Sequence, residues 1–386
     1  MKQIILIKYG EIILKGLNRH TFEDMLIKNI HAALGPIQAE VWRAQATIYA
    51  DIKNENEMDE AIFRLKKVFG IVAIIKAYVL SKEFEQLKQE ARDCLKEELE
   101  SANTFKVEAK RADKKYPMKS PDICRELGGF LSDCYPNLKV DVIRPDKLVT
   151  VEVRETNVYL YCNRIKGLGG MPVGSNSKAV LLLSGGIDSP VAGFMVAKRG
   201  VALEAVHFFS HPYTSQRAKD KVLALAKIIA AYTGGLKVHI VPFTEIQLEI
   251  KEKCPSEKLT LIMRRFMMAI SEKVAQRVNA KALVTGESIG QVASQTVEAL
   301  CVTNDAVHLP VFRPVIGMDK EEIVEIARRI DTFETSVLPY EDCCTIFTPR
   351  HPLTKPKLEN IIKSESLLDF EGLVASAVAG IETIEV

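Results

Sequence analysis

The second half of the chain alternates apolar runs with segments whose apolar residues recur at helical spacing. The apolar runs lack polar alternation, which is typical of strands buried on both faces of a sheet. We predict strands at 179–183, 202–209, 236–241 and 282–286, and helices from about 190, at 215–233, 244–253, 257–278, near 290–300 and at 319–330. Strands separated by helices indicate a parallel, doubly wound α/β sheet.

The first half mixes short strand-like runs with helices in no regular order. We predict strands at 4–8, 47–52, 105–110, 148–153 and 158–162, and helices at 57–68 and 82–99. This mixture indicates one or two small α+β units. The stretch 166–174 is rich in glycine and contains a proline, so we interpret it as a linker between the halves.

Length and charge restrict the protein class. A chain of 386 residues favours two or three domains, and a net charge of +2 leaves only local basic surface for a nucleic-acid partner. No apolar run approaches the ~20 residues needed to span a membrane, and the first apolar run is too short for a signal peptide. None of the eight cysteines forms a Cys-x-x-Cys pair, which argues against a zinc or iron–sulfur site. We therefore expect a cytoplasmic protein with reduced thiols and no membrane partner.

A glycine-rich corner follows the first predicted strand of the second half. Here Ser184-Gly-Gly-Ile-Asp-Ser189 leads into a helix that opens near Pro190, a residue suited to a first helical turn. The two glycines allow the backbone to approach a ligand, and the exposed N–H groups and helix dipole attract an anion. Ser189 is predicted to be the helix N-cap. The loop contains no lysine and is not a Walker A motif, and a plain strand–turn–helix corner is the alternative.

The motif Ser-Gly-Gly-Ile-Asp-Ser resembles the loop of the PP-loop ATP pyrophosphatases. This resemblance implies cleavage of ATP between its α and β phosphates, with adenylation of a carbonyl oxygen. GMP synthetase, NAD synthetase, asparagine synthetase and tRNA thiolases share the loop. The loop alone therefore leaves the substrate open.

Further motifs lie in the runs 8–22, 105–120, 123–128, 317–322 and 338–352. Together they resemble one family, the tRNA 4-thiouridine synthetases (ThiI), in a short form without a rhodanese domain. The resemblance implies a ferredoxin-like domain at 1–58, a THUMP RNA-binding domain at 59–166, a linker at 167–176 and a PP-loop ATP pyrophosphatase domain at 177–386. It also implies a homodimer.

The resemblance implies an ATP-dependent sulfurtransferase that adenylates uridine 8 of tRNA. Sulfur from a cysteine desulfurase persulfide then replaces the 4-oxygen, and AMP and pyrophosphate are released. Mg²⁺ is expected with ATP. A second family role, sulfur transfer for the thiazole of thiamine through a sulfur-carrier protein, stays open because the expected short form lacks the rhodanese domain.

The same resemblance assigns candidate site residues. Asp188 is the expected magnesium or nucleotide ligand, although it could instead be a capping acid. Cys343 matches the family's catalytic cysteine, and Cys344 is the alternative; the other six cysteines are interpreted as buried fillers. Considered alone, Arg264 and Lys320 could be solvated helix residues. The positions expected against ATP are Leu182, Leu183, Ser184, Gly185, Gly186, Ser189, His207, Phe208, Arg264, Gly286, Gln295 and Lys320.

A basic cluster in the first half is the candidate tRNA contact. Residues 105–125 carry a local excess of basic residues, with Tyr116 among them, which suits phosphates of a folded RNA but also an ordinary solvated surface. The predicted tRNA-binding residues are Lys106, Lys110, Arg111, Lys114, Lys115 and Lys119.

Three other functions remain open from the sequence. A PP-loop ligase acting on a small metabolite would not retain RNA, and a tRNA 2-thiolase would place its cysteines elsewhere. A THUMP protein with a degenerate catalytic domain would bind RNA without reacting, but the intact loop argues against it.

Overall fold

The structure, a computed structural model, describes residues 1–340, 347 and 352–386. The chain divides into two compact units, Met1–Gly169 and Gly170–Val386. The candidate sulfur carriers Cys343 and Cys344 lie outside the described residues.

The first unit is an α+β structure built on one large sheet. Its strands are β1 (Gln3–Tyr9), β2 (Ala39–Ala44), β3 (Thr47–Ile52), β4 (Ile71–Leu80), β5 (Thr104–Arg111), β6 (Lys139–Val140), β7 (Lys147–Val153), β8 (Val158–Tyr161) and β9 (Ile165–Lys166). Its α-helices are α1 (Arg19–Leu34), α2 (Met58–Leu65), α3 (Phe84–Cys94), α4 (Lys96–Glu100) and α5 (Ser120–Cys134).

The sheet of the first unit has the order β2-β3-β1-β4-β8-β7-β5-β6, with β9 paired to β4. Strand β5 lies parallel to both β6 and β7, whereas β1 pairs antiparallel with β3 and β4. The two halves of this unit therefore share one sheet through the β4–β8 pair. The pattern missed α1 and α5, and the single predicted helix at 82–99 is wrong: Leu95, with φ −101° and ψ 10°, separates two helices.

The second unit is an α/β structure. Its strands are β10 (Lys178–Leu182), β11 (Ala202–Phe209), β12 (Lys237–Pro242), β13 (Ala282–Val284), β14 (Val311–Phe312) and β15 (Glu382–Glu385). Its α-helices are α6 (Asp188–Ala197), α7 (Gln216–Thr233), α8 (Thr244–Lys253), α9 (Leu259–Arg277), α10 (Val297–Asn304), α11 (Lys320–Arg329), α12 (Phe333–Ser336), α13 (Leu358–Glu365) and α14 (Phe370–Ala379).

The sheet of the second unit has the order β14-β13-β10-β11-β12-β15. All neighbouring strands in the described part of this sheet are parallel except β15, which lies antiparallel to β12. This topology confirms the predicted doubly wound parallel sheet. The order turns in both directions from β10, and such a switch point opens a crevice at the carboxyl ends of the strands.

Two predicted boundaries in the second unit are wrong. The strand predicted at 282–286 ends at Val284, and the helix predicted near 290–300 begins at Val297 after a 3₁₀ turn, Ala293–Gln295. The hydroxyl of Thr296 accepts a hydrogen bond from the N–H of Ala299, so this side chain sets the start of α10.

Among the described residues, no helix combines the length and apolarity that crossing a membrane requires.

Candidate functional site

A cavity of about 230 Å³ opens at the carboxyl ends of β10, β11 and β13. Residues at the ends of three different strands, or directly after these strands, line it together with side chains of α9, as the switch-point topology requires. The lining residues are Leu182, Leu183, Ser184, Asp188, Ser189, Val206, His207, Phe208, Arg264, Met267, Met268, Thr285, Gly286, Glu287 and Gln295.

The cavity brings together most of the positions expected against ATP. Gly185, Gly186 and Lys320 do not line it, but the two glycines belong to the same loop and Lys320 contacts Asp188. The binding role of these residues stays a prediction.

Hydrogen bonds between two serines close the glycine loop. The N–H of Ser184 donates to Oγ of Ser189 at 3.0 Å, and the two hydroxyl oxygens lie 3.1 Å apart. The predicted N-cap at Ser189 is wrong, because α6 begins at Asp188 and Ser189 lies inside its first turn. The hydroxyl holds the loop instead of capping the helix.

Gly286 allows the chain after β13 to pass directly against this loop. A Cβ atom there would lie 2.6 Å from the backbone N of Ser189 and 2.7 Å from the carbonyl carbon of Asp188. Real Cβ atoms do not approach backbone so closely, so only glycine fits without displacing the loop.

The carboxylate of Asp188 is held at the mouth of the loop by two side chains. Nζ of Lys320 lies 2.7 Å from Oδ1, and Nε2 of Gln291 donates to Oδ2 at 2.9 Å. Lys320 starts α11, whose N-terminus carries a capping box formed by Asp319 and Glu322. The cap fixes the position of the first turn and therefore of the lysine.

Glu287 joins two arginines beside the cavity, and the sequence analysis missed it. Its side chain is buried and accepts hydrogen bonds from Nε of Arg313 at 2.7 Å and from the hydroxyl of Thr285 at 2.8 Å. It also pairs with Arg264. One carboxylate between two guanidinium groups leaves an excess positive charge, which favours an anionic ligand. An acid directly after Gly286, the last residue of the strand predicted at 282–286, was the available signal.

Lys221 was missed as well. This lysine of α7 is buried, with a relative exposure of 7 %, and its Nζ donates to the carbonyl of Leu338 at 2.8 Å. Its aliphatic end and Nζ lie about 3.5 Å from the position of a Cβ at Gly185. A neighbouring helix therefore supplies a cation to a loop that contains no lysine.

The described cysteines differ in environment. Burial raises the pKa of Cys94 to about 11 and that of Cys162 to about 12, so neither is a thiolate at neutral pH. The interpretation of all six as buried fillers is wrong for Cys301, which is exposed. Within the described residues no group of three His, Cys, Asp or Glu could hold a metal ion.

The basic cluster of the first unit is only partly available to a ligand. Lys110, Lys114, Lys115 and Lys119 are exposed. Nη1 of Arg111 donates to the carbonyls of Tyr116 and Met118, both at 3.1 Å, and therefore braces the loop after β5. The expectation that Tyr116 belongs to the RNA-facing surface is wrong, because the residue is 5 % exposed and packs in the hydrophobic core.

Comparisons with known proteins agree with this architecture. The profile of the family "Thiamine biosynthesis protein (ThiI)" matches residues 174–370, that of the "ThiI ferredoxin-like domain" matches 4–74, and that of the "THUMP domain" matches 81–163. A "Probable tRNA sulfurtransferase" from Acetivibrio thermocellus is 56% identical over 390 residues, covering 100% of this chain and 99% of that protein.

Two solved structures are similar. One is the crystal structure of a 4-thiouridine synthetase–RNA complex with bound ATP, at 40% sequence identity and a TM-score of 0.94. The match covers 100% of this chain and 100% of that chain. The other is PH1313 from Pyrococcus horikoshii, at 24% identity and a TM-score of 0.67. The match covers 85% of this chain and 99% of that chain, and at this identity it supports a shared fold alone. From the matching profiles and full-length relatives, the chain belongs to the ThiI family of tRNA sulfurtransferases.

Proposed function

We propose that this protein is a tRNA sulfurtransferase that converts uridine 8 of tRNA to 4-thiouridine at the expense of ATP. The observation that carries the proposal is the cavity at the switch point, where an apolar wall meets a glycine loop at a helix N-terminus. It occurs in a chain whose full length resembles a 4-thiouridine synthetase found with RNA and ATP.

The cavity suits a nucleotide in each of its parts. Phe208, Met267 and Met268 provide apolar surface for a base, and the loop N–H groups and Arg264 meet phosphate charge. Oε1 of Gln295 is buried and has no hydrogen-bond partner among the described residues, so an amino group of the base would satisfy it.

The first chemical step proposed is adenylation. The 4-oxygen of the uracil attacks the α-phosphorus, the bond to the bridging oxygen breaks, and pyrophosphate leaves. Negative charge grows on the leaving group, where the loop N–H groups stabilise it without reorganisation. The step turns a poor leaving group, the 4-oxygen, into a phosphate ester.

Sulfur transfer is the second step. The terminal sulfur of a persulfide on Cys343 attacks C4, and AMP leaves with the former 4-oxygen. A second thiol, for which Cys344 or an external thiol is available, then attacks the S–S bond. The products are 4-thiouridine and a disulfide, which an external thiol must reduce. A cysteine desulfurase is the proposed persulfide donor. Inorganic sulfide would instead attack C4 directly, displace AMP and leave no disulfide.

The site also fits a magnesium ion. Mg²⁺ prefers one or two carboxylates together with substrate phosphates. Asp188 offers a partly exposed carboxylate beside the loop, whereas Glu287 is occupied by two arginines. Asp188 would therefore hold the ion, which neutralises phosphate charge when bound.

Assembly and cellular role follow the family in our proposal. We propose a cytoplasmic homodimer that binds tRNA through its THUMP domain. The domain limits predicted from the sequence are retained in this proposal. A role in sulfur transfer for thiamine, with a sulfur-carrier protein as partner, is a further part of it.

An assay with purified components tests the main proposal. The protein is incubated with ATP, unmodified tRNA, cysteine and a cysteine desulfurase, and 4-thiouridine is measured by its near-ultraviolet absorbance. We expect product only when every component is present. ATP cleavage driven by a small metabolite, without retention of tRNA, would instead identify a ligase of the same fold.

Cys343→Ser should separate the two steps. We expect tRNA-dependent pyrophosphate release to persist and thiolation from the desulfurase to fall to background, because the persulfide has no carrier. The matched control is Cys301→Ser, which removes an exposed thiol. Full thiolation in Cys343→Ser would move the carrier role to Cys344 or to free sulfide.

The THUMP surface gives a prediction on binding. Replacing Lys110, Lys114 and Lys115 together by glutamine should weaken tRNA binding and lower the slope of log K against log salt by about 2, because three phosphate contacts are lost. Arg111 is left in place because it braces the loop.

The control for that variant removes the same charge at three exposed lysines elsewhere in the unit, Lys28, Lys66 and Lys96. Fluorescence anisotropy of labelled tRNA over a salt series measures both variants. Equal slopes in the THUMP variant and the control variant would show that these THUMP lysines do not contact the RNA.

A further inference from the structure

A second basic surface lies on the catalytic unit, in a groove of about 590 Å³ between α13 and the chain before α9. Lys258, Lys355, Lys357 and Lys363 line it, against the single acid Glu257. The lining thus carries a net charge of +3, which exceeds the +2 of the whole chain. Such a local concentration of positive charge attracts anions and marks a candidate contact for an anionic partner.

The floor of the groove is held by hydrogen bonds. Nζ of Lys258 donates to the carbonyl of Asn360 and to the hydroxyl of Ser364, both at 3.0 Å. The N–H of Leu353 donates to the carbonyl of Glu257 at 3.2 Å. These bonds tie α13 and the segment before it to the chain that leads into α9, so the groove has a defined shape.

The other three lysines point their charge to solvent. Lys355, Lys357 and Lys363 are exposed, and within the described part of the chain none has an ion-pair partner. Glu365, the nearby acid of α13, is already paired with Arg265. Glu359 is exposed and does not line the groove. Three ammonium groups are therefore available to an external anion.

The groove adjoins the nucleotide cavity. Gln295 lines the cavity, and the next residue, Thr296, donates its hydroxyl proton to the carbonyl of Thr354 at 2.7 Å. Lys355 follows directly and lines the groove. An RNA chain that presents a base at the cavity must lay its neighbouring phosphates on adjoining surface, and this surface carries the lysines.

We propose that this groove binds backbone phosphates of the tRNA next to the reacting nucleotide, as a contact separate from the THUMP domain. The inference rests on the proposed function, because it takes the nucleotide cavity as the place where the RNA base reacts. The groove then contributes affinity independent of base sequence and holds the RNA backbone at the cavity. Lysine suits this task because phosphate contacts position an RNA without reading its bases.

The test removes the three exposed lysines in the full-length chain, as Lys355→Gln, Lys357→Gln and Lys363→Gln together. We expect tRNA affinity near 0.1 M salt to fall roughly tenfold or more, and the slope of log K against log salt to drop by about 2, as for three lost phosphate contacts. The arginine triple variant at the same positions keeps the charge and should retain the slope.

The control is the triple variant Lys237→Gln, Lys273→Gln and Lys281→Gln. Lys237 begins β12 and Lys281 immediately precedes β13, so these two lie at the sheet edge opposite the cavity, and all three are exposed. An affinity and a slope equal to those of this control would overturn the inference. A wild-type chain that binds no tRNA would instead contradict the proposed function.

An acidic protein partner is the competing occupant. It predicts that the groove variant binds tRNA normally and thiolates it normally from sodium sulfide, but loses thiolation from the desulfurase. That pattern would overturn the RNA assignment. Loss of tRNA binding together with loss of both thiolation reactions supports it.

Discussion

Replacing Asp188 by asparagine should lower tRNA-dependent pyrophosphate release at least about a hundredfold, the scale on which a single charge-stabilising group acts in an active site. The amide keeps the shape of the side chain but removes the charge that pairs with Lys320. It also removes the carboxylate proposed for magnesium. The cost to folding should be small, since an acid in the first turn of a helix contributes about 0.3–1 kcal/mol.

The measurement is single-turnover release of pyrophosphate with unmodified tRNA, together with tRNA affinity by anisotropy. We expect the affinity to stay unchanged, because the described side-chain partners of Asp188 are Lys320 and Gln291, and neither belongs to the lysines proposed to bind tRNA. Asp220→Asn is the matched control, because that exposed carboxylate also accepts a hydrogen bond from a glutamine amide, that of Gln216 at 2.9 Å. If Asp188→Asn turned over at the wild-type rate, Asp188 would have no role in pyrophosphate release.

Gly286→Ala should damage the nucleotide site through a single added methyl group. The new Cβ would meet backbone atoms of Asp188 and Ser189 at 2.6–2.8 Å, and backbone cannot yield as a flexible side chain does. The loop must shift, at a cost of typically 1–3 kcal/mol for an overpacked site. A displacement of about 1 Å can cost roughly a hundredfold in turnover, so we expect a loss of that size.

Calorimetric ATP binding and thermal melting distinguish this loop displacement from global unfolding. Gly286→Ala should fold, melt at a lower temperature and bind ATP weakly. Gly317→Ala is the control, because a Cβ there meets no atom within 4 Å among the described residues. If Gly286→Ala bound ATP as tightly as Gly317→Ala, the close approach between the two segments would have no functional role.

The hydrophobic pattern predicted the second unit well because its strands are buried on both faces. Val180 and Leu181 in β10, for example, are both fully buried. A continuous apolar run of this kind is a clear signal for a strand in the interior of a sheet. The pattern failed where the periodic signal is weak. Helix α1 buries only Glu23, Leu26, Ile30 and Leu34, and one of these is an acid held by Tyr9 and Arg19.

Local sequence also located the glycine loop, because its chemistry lies within six consecutive residues. It misjudged the task of Ser189, since the choice between capping a helix and closing a loop depends on where Ser184 lies in space. The same limit applies to Tyr116, whose burial depends on packing against α5 and the sheet.

The sequence by itself determined the fold class, the order of the main elements of the second unit and the position of the glycine loop, since these follow from periodicity and from short-range backbone preferences. The tertiary structure decided which side chains act together. Asp188 meets Lys320 across 132 positions, and Glu287 meets Arg264 from another element. Such contacts depend on how elements distant in sequence pack against each other, and the hydrophobic periodicity within one element carries no information about that packing.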